Sequence, residues 1–299
     1  MRVGYVISSY QPAAQLNRLV RAISHTSTDP RFFLGHDQRV LAHPPGDLDA
    51  AFELVGLPDE GVGWGTWAFM HLQLAGVAAA LDSGCDWLVT ISGQDYPVQQ
   101  AHRFERRLKD CEVDGFIEEF DHRANYQQLL ERYRRRIITE TGRTTLLLRP
   151  RLVRRVINRT RVLHVQDRAR GQSPLLERAA APPLAPYERL RMGNNWWALS
   201  AKAARALLDR RIRDPKLVDH FAATFIPSEA FPHTVLLNDP DLRFHTDQPL
   251  QHTRWDGWSP RMLSAEDVPE AIASGRPFAR KFACDDPALD LLDEHLEAG

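Results

Sequence analysis

The sequence predicts an α/β fold built on a mostly parallel central sheet, and three observations carry that expectation. Near-continuous apolar runs, Val3-Gly4-Tyr5-Val6-Ile7 and Trp87-Leu88-Val89-Thr90-Ile91, have the composition of strands covered on both faces. Segments with apolar residues at helical spacing lie between such runs. The alternation of strand, helix and strand is that of parallel strands joined by helical crossovers.

The elements follow in order. Arg2 to Ser8 is the opening strand, and Pro12 begins a helix whose Leu16, Leu19, Val20 and Ile23 share one face. Arg31 to His36 is a second strand. A turn at Pro44 and Pro45 precedes a weaker strand at Phe52 to Leu54. Trp67 to Leu81 forms an alanine-rich helix, Asp86 to Ser92 a strand, Gln99 to Leu108 a helix and Gly115 to Phe120 a strand. From Arg132 to Arg170 arginines are dense, Arg134, Arg135, Arg136, Arg149, Arg151, Arg154, Arg155, Arg159 and Arg161 among them. Such a run fits a solvated helical face, with an anionic partner surface as the alternative. Leu175 to Pro186, with three prolines, is expected to be a loop able to fold over a substrate. Asn194 to Ser200 resumes a strand and Ala201 to Leu208 a helix.

Composition removes several function classes. The chain has 299 residues, 43% of them hydrophobic, enough for one large core or two modest ones. Lys plus Arg number 38 against 39 Asp plus Glu, a net charge of -1. A molecule that bound nucleic acid or membrane over its whole surface would carry a basic surplus. Cys85, Cys111 and Cys284 are scattered, odd in number and without metal-ligand spacing, so a reduced compartment is expected. The N-terminus carries no apolar leader, and no run approaches the roughly 20 apolar residues of a membrane span. Those features give the expectation of a soluble, cytoplasmic protein without nucleic-acid partners. No P-loop, dinucleotide fingerprint or His-Glu-x-x-His motif occurs, and no strong strand ends in a carboxylate pair.

In a parallel sheet, ligands bind beyond the carboxyl ends of the strands. That rule directs attention to His36-Asp37, to Ser92-Gly93-Gln94-Asp95 and to the loop after Phe120. Two later segments add chemistry. Pro227-Ser228-Glu229-Ala230-Phe231-Pro232-His233 offers a carboxylate at the mouth of an apolar helix, and Phe278-Ala279-Arg280-Lys281-Phe282 offers two adjacent cations between aromatic rings. A reaction that takes a proton from an alcohol and expels a phosphate needs one of each. Glu229 fits equally a first-turn carboxylate favoured by the helix dipole, and Lys281 a surface ion pair with Asp285 or Asp286. His233, one turn beyond Glu229, is expected to pack or orient. Trp196 and Trp197 point to opposite faces of their strand, so at least one belongs to the core. The other, or Trp255 or Trp258 in the loop Thr253 to Trp258, could stack on a sugar.

Ile91-Ser92-Gly93-Gln94-Asp95-Tyr96-Pro97 resembles a segment of the core-2/I-branching glycosyltransferases and the related peptide O-xylosyltransferases. The resemblance continues through Val3 to Asp37, Val62-Gly63-Trp64-Gly65, Gly193 to Ser200, Pro227 to Leu236 (closest to the xylosyltransferase form) and Phe278 to Phe282. It implies a GT-A-like nucleotide-sugar-binding sandwich: a single domain over 1–299, with a nucleotide-binding half (1–125) and an acceptor and diphosphate half (126–299). It also implies an inverting, metal-independent transfer from a UDP-sugar, UDP-N-acetylglucosamine or UDP-xylose, to a hydroxyl-bearing acceptor, as in a bacterial member. No cofactor or metal is implied. By the same resemblance Glu229 is the catalytic base, and Lys281 contacts the donor diphosphate with help from Arg280 and from Arg254 or Arg261. His36, Trp64 and Asp95 line the nucleotide pocket. Asn195, Trp196, Trp197, Trp255 and Trp258 face the acceptor, with Asn195 where the family usually has an acidic residue. Read without the resemblance, Asp95 ends its strand and caps the next turn. A carbohydrate- or nucleotide-binding protein without catalysis is the alternative function, and a metal-dependent hydrolase has no ligand spacing to support it.

Overall fold

The computed structural model describes residues 1–37, 47–56, 62–139, 151–160, 162–166, 174–257 and 259–298. The turn at Pro44 and Pro45, Arg149, Arg161, Arg170 and Trp258 lie outside the described residues. The first half contains β1 (Val3–Ser9), α1 (Ala13–Thr26), β2 (Pro30–His36), β3 (Phe52–Leu54), α2 (Trp67–Asp82), β4 (Trp87–Ser92), β5 (Asp95–Pro97), α3 (Ala101–Asp110) and β6 (Gly115–Glu119). Next come α4 (Tyr126–Leu130), β7 (Arg135–Thr139), α5 (Arg151–Ile157), β8 (Leu163–Gln166) and β9 (Leu175–Ala179). The remainder is β10 (Gly193–Ser200), α6 (Ala201–Arg213), α7 (Pro215–Ala222), α8 (Phe231–Leu236), β11 (Phe244–His245), β12 (Gln251–Thr253), β13 (Trp255–Asp256), β14 (Ser259–Pro260), α9 (Val268–Ala273), β15 (Phe278–Arg280) and α10 (Ala288–Ala298).

Seven strands form the main sheet in the order β11-β6-β10-β4-β1-β2-β3. All run parallel except β10, which is antiparallel to both β4 and β6. The fold is therefore the α/β class with a mostly parallel sheet, in the expected GT-A-like arrangement. Side chains alternate between two cores. Tyr5, Ile7, Val89 and Ile91 feed the layer under α1, α3 and α10, whereas Val6 and Leu88 feed the layer under α2 and α6. Helix α1 buries the stripe Leu16, Leu19, Val20 and Ile23, and full burial of each such side chain stabilises by roughly 1.5–3 kcal/mol. Helix α2 is apolar on every side because it lies between the sheet and α6. Among the described residues no helix is long and apolar enough to cross a membrane.

Two expectations need correction. The span from Leu175 is not wholly loop, because β9 is the middle strand of a small sheet ordered β7-β9-β8. Only its tail, Ala180 to Pro186, is free of strand. The arginine-dense stretch is likewise not one helical face. It contributes β7 and β8 to this sheet and packs α5 against β8, where Asn158 exchanges hydrogen bonds with the Val165 backbone (2.6 and 3.4 Å). Leu175 and Ile137 on the inner side of the small sheet pack on Phe225 and Ile226, so the insert is seated directly behind the segment that leads to Glu229.

Candidate active site

Strand ends Ser9, His36, Ser92 and Glu119 mark one edge of the main sheet, and the reversed β10 starts at that same edge, with Gly193 opposite Glu119. The chain comes very close there. A Cβ on Gly193 would lie 1.7 Å from the Glu118 carbonyl oxygen and 2.6 Å from His233 Nε2. Gly193→Ala is therefore expected to destabilise by about 1–3 kcal/mol or more, because the backbone must move. A thermal melt showing an unshifted midpoint would refute it.

Glu229 closes the turn Pro227–Glu229 just before α8. The segment leading into it is pinned from three sides. Ile226 N–H donates to the Gly65 carbonyl at 2.9 Å, while the Ile226 carbonyl accepts from Tyr133 Oη at 2.9 Å and from Glu229 N–H at 3.2 Å. Ile226 has φ 56°, a conformation costly for a β-branched residue, and these bonds hold it there. Gly65 also has positive φ (79°), and a Cβ on it would strike the Phe225 ring at 2.7 Å. Trp64, half exposed, meets Phe225 edge-on at 5.4 Å, so it lies beside the approach to Glu229.

The Glu229 side chain is 25% exposed, and its Oε2 lies 3.3 Å from Arg132 Nη1. Arg132 itself sits over the Phe225 ring, 5.6 Å from the centroid. Burial pushes the Glu229 carboxyl above the ordinary glutamate value, and the Arg132 and Arg123 guanidinium groups pull it partly back. His233 is fully buried, driven down to about 3 by burial, and so neutral. Its Nε2–H donates to the Glu118 carbonyl at 3.0 Å. It orients the turn and is no base. Arg132 went unrecognised in the sequence because it is one arginine in a dense run and lies 97 residues from its partner.

The cationic segment reaches the same edge from the other side. β15 pairs with β5, and Phe282 N–H donates to the Gln94 carbonyl at 3.0 Å just beyond the end of β4. Lys281 is half-buried and makes no ion pair among the described residues, with Asp285, Asp286 or any other carboxylate. Burial first, then the neighbouring Arg280, lowers its pKa, against an opposing pull from Asp95. Its ammonium is thus a charge without a direct counter-ion.

Several expected contacts are corrected. Asp95 is 1% exposed and held by Ser92 N–H (2.8 Å), Ser92 Oγ (2.9 Å) and the Arg280 guanidinium (Nε at 2.8 Å), so it braces the turn after β4. Arg280 Nε lies 2.8 Å from Asp95 Oδ1 and the guanidinium lies over the Trp196 ring at 4.8 Å, whereas Lys281 has no ion-pair partner among the described residues. Trp197 is completely buried in the core beside α6, not at an acceptor surface. Trp196 is nearly as buried, between Phe69 and Arg280. Asn195 keeps a buried side-chain oxygen without a hydrogen-bond partner. Arg254 and Arg261 both pair with Asp267, at 3.1 and 2.6 Å, and Arg254 also with Glu270. Trp255 is exposed in the β13–β14 hairpin next to them. His36 is buried, with Nε2 2.9 Å from the Gln11 carbonyl and Nδ1 unpartnered.

The turn that carries Glu229 thus touches β10, and the segment that carries Lys281 meets the chain just beyond β4, both at the edge where this fold class binds ligands. The family model for the Core-2/I-Branching enzyme matches residues 3–273. The chain belongs to that family. Among curated proteins it is similar to Beta-glucuronosyltransferase GlcAT14A of Arabidopsis thaliana, 33% identical over 113 residues, covering 36% of this chain and 25% of the relative. It is also similar to Beta-glucuronosyltransferase GlcAT14B of the same plant, 31% identical over 113 residues, covering 36% and 26%. The chain spans about a quarter of the length of these relatives. Among solved structures, one from Bacillus anthracis described as a glucose-1-phosphate thymidylyltransferase matches at 9% identity and TM-score 0.28, covering 70% of this chain and 75% of that one. That likeness is too slight to argue from.

Proposed function

We propose that this core-2/I-branching enzyme transfers a sugar from a UDP-sugar to a hydroxyl-bearing acceptor, inverting the anomeric centre without a metal ion, with Glu229 as the base. The observation that carries the reading is the Glu229 carboxylate itself: partly open, on a pinned segment, and held toward its ionised form by Arg132. In the step, the acceptor oxygen gives its proton to Glu229 and forms a bond to the anomeric carbon. The bond from that carbon to the phosphate oxygen breaks, and UDP leaves with the electron pair. Lys281 stabilises the charge gathering on that oxygen, the work a divalent ion does elsewhere. Attack from the face opposite the leaving group inverts the centre. Arg254 or Arg261, both tied to Asp267 but partly exposed, is the candidate for a second cation on the donor diphosphate.

The family resemblance favours UDP-N-acetylglucosamine or UDP-xylose as donor, and the plant relatives add UDP-glucuronic acid. UDP release from these three donors, with and without chelator, tests the reading on the native chain. Turnover with one donor, unaffected by chelator, is expected; turnover abolished by chelator would overturn the metal-free mechanism. Binding of a donor without turnover on any hydroxyl acceptor would favour a non-catalytic binder. In the same assay Lys281→Ala is expected to weaken UDP binding by about tenfold or more, the weight of one charged hydrogen bond. Unchanged UDP affinity would remove Lys281 from the diphosphate site.

A further inference from the structure

We infer that the outer face of the insert formed by β7, α5, β8 and β9 docks this enzyme on an anionic lipid bilayer. The inference stands independently of the role of Glu229. It begins with charge distribution. Residues 132–170 hold thirteen arginines, no lysine and two carboxylates, a balance of +11 in a chain whose total is -1, so everything outside that stretch sums to -12. The near-neutral total conceals a strongly uneven distribution of charge along the chain, and eight of the thirteen arginines, with neither carboxylate, fall among the described residues.

The layering of the insert places Arg155, Arg159 and Arg178 outward. The inner side of the small sheet, carrying Leu175 and Ile137, rests on Phe225 and Ile226. Val165, opposite Leu176 on the other side, is covered by α5. Helix α5 is therefore the outermost layer. Leu152, Arg155 and Val156 recur at helical spacing along it, Arg159 follows in the turn just after it, and all four are exposed, Leu152 by 73% and Val156 by 60%. Val162, 65% exposed, follows the same turn, and Arg178 is exposed on β9.

Aliphatic side chains interleaved with arginines on an outward face suit the boundary between headgroups and acyl chains, where the first enter hydrocarbon and the second meet lipid phosphates. Nucleic acid would satisfy the arginines but offer nothing to the leucine and valines, and no aromatic ring stands among them for a base to stack on. A symmetric pairing of two copies through this face would set arginine against arginine.

Co-sedimentation of the full chain with vesicles decides the matter, using phosphatidylcholine alone or mixed with phosphatidylglycerol. Binding to the mixed vesicles only, weakened by salt, is expected. The double variant Arg155→Glu/Arg159→Glu should lose roughly tenfold or more in affinity. Leu152→Ser/Val156→Ser should bind several-fold more weakly, and its remaining binding should vanish at lower salt. Both pairs are on the surface, and unchanged melting temperatures verify that the variants are folded. Absent or equal binding to the two vesicle types would overturn the inference. So would full binding by the charge-reversed variant. A dimer in sedimentation velocity that Leu152→Ser/Val156→Ser dissociates would assign the face to a second copy instead.

Discussion

Glu229→Gln is expected to slow sugar transfer by about 10²–10⁴-fold, the usual weight of general-base assistance, while leaving UDP affinity close to native. The amide keeps the shape and the contact with Arg132 but cannot accept the acceptor's proton. Steady-state turnover together with UDP binding measures both parts, and a variant with native kcat would strip Glu229 of its role. The partner makes a second, directional expectation. Arg132 lowers a carboxyl that burial raises, so Arg132→Met should move the acid limb of the kcat/KM profile to higher pH. Arg132→Lys, which keeps the charge, should move it less. An acid limb that stays in place in Arg132→Met would mean the arginine only fills space.

Stability is expected to show a large pH effect at Glu177. That side chain is 1% exposed, in the middle strand of the insert, and neither carboxylate oxygen has a hydrogen-bond partner. It stands opposite Ile137 on β7 and His164 on β8, and Arg135 and Arg132 are the cations acting on it, the latter already paired with Glu229. Burial dominates and raises the carboxyl from 4.5 to about 7. The folded chain therefore holds this proton more tightly than the unfolded chain. The resulting stability is fully present below about pH 4.5 and is lost as pH rises through about 7. Glu177→Gln, neutral throughout, lacks that loss. The native protein should fall behind the variant by roughly 3 kcal/mol by about pH 8, with the two differing least dependently on pH below 4.5. Denaturant unfolding of both proteins at acid and at mildly alkaline pH tests it, and parallel stability curves across that range would show that Glu177 titrates normally.

The alternating architecture was legible because buried parallel strands leave apolar runs such as Trp87–Ser92, and because α1 writes its inward face at helical spacing. Glu229 and Lys281 were legible as unusual chemistry in distinctive surroundings. Other features depend on partners far away in the chain. Nothing local to Arg132 distinguishes it from Arg134 or Arg136; only the fold brings it to Glu229. Asp95 and Arg280 each looked like a ligand group, yet across the β5–β15 pairing they form an ion pair. Period-two alternation correctly set Trp196 and Trp197 on opposite faces, but both faces of β10 are covered, so both rings are buried. The strand at Leu175–Ala179 was hidden because its pairing residues lie in β7 and β8 and its own sequence runs into a proline-rich tail.

The placement of β10 has a consequence for how the molecule is made. It fills the gap between β4 and β6, and β6 has no sheet neighbours other than β10 and β11. A nascent chain released from the ribosome up to the end of β6 would carry that strand with both hydrogen-bonding edges bare, and it would stay so until Gly193–Ser200 had emerged. Expression of the first 125 residues alone would leave an unpaired β6 prone to self-association, because both strands that flank it come from later in the chain.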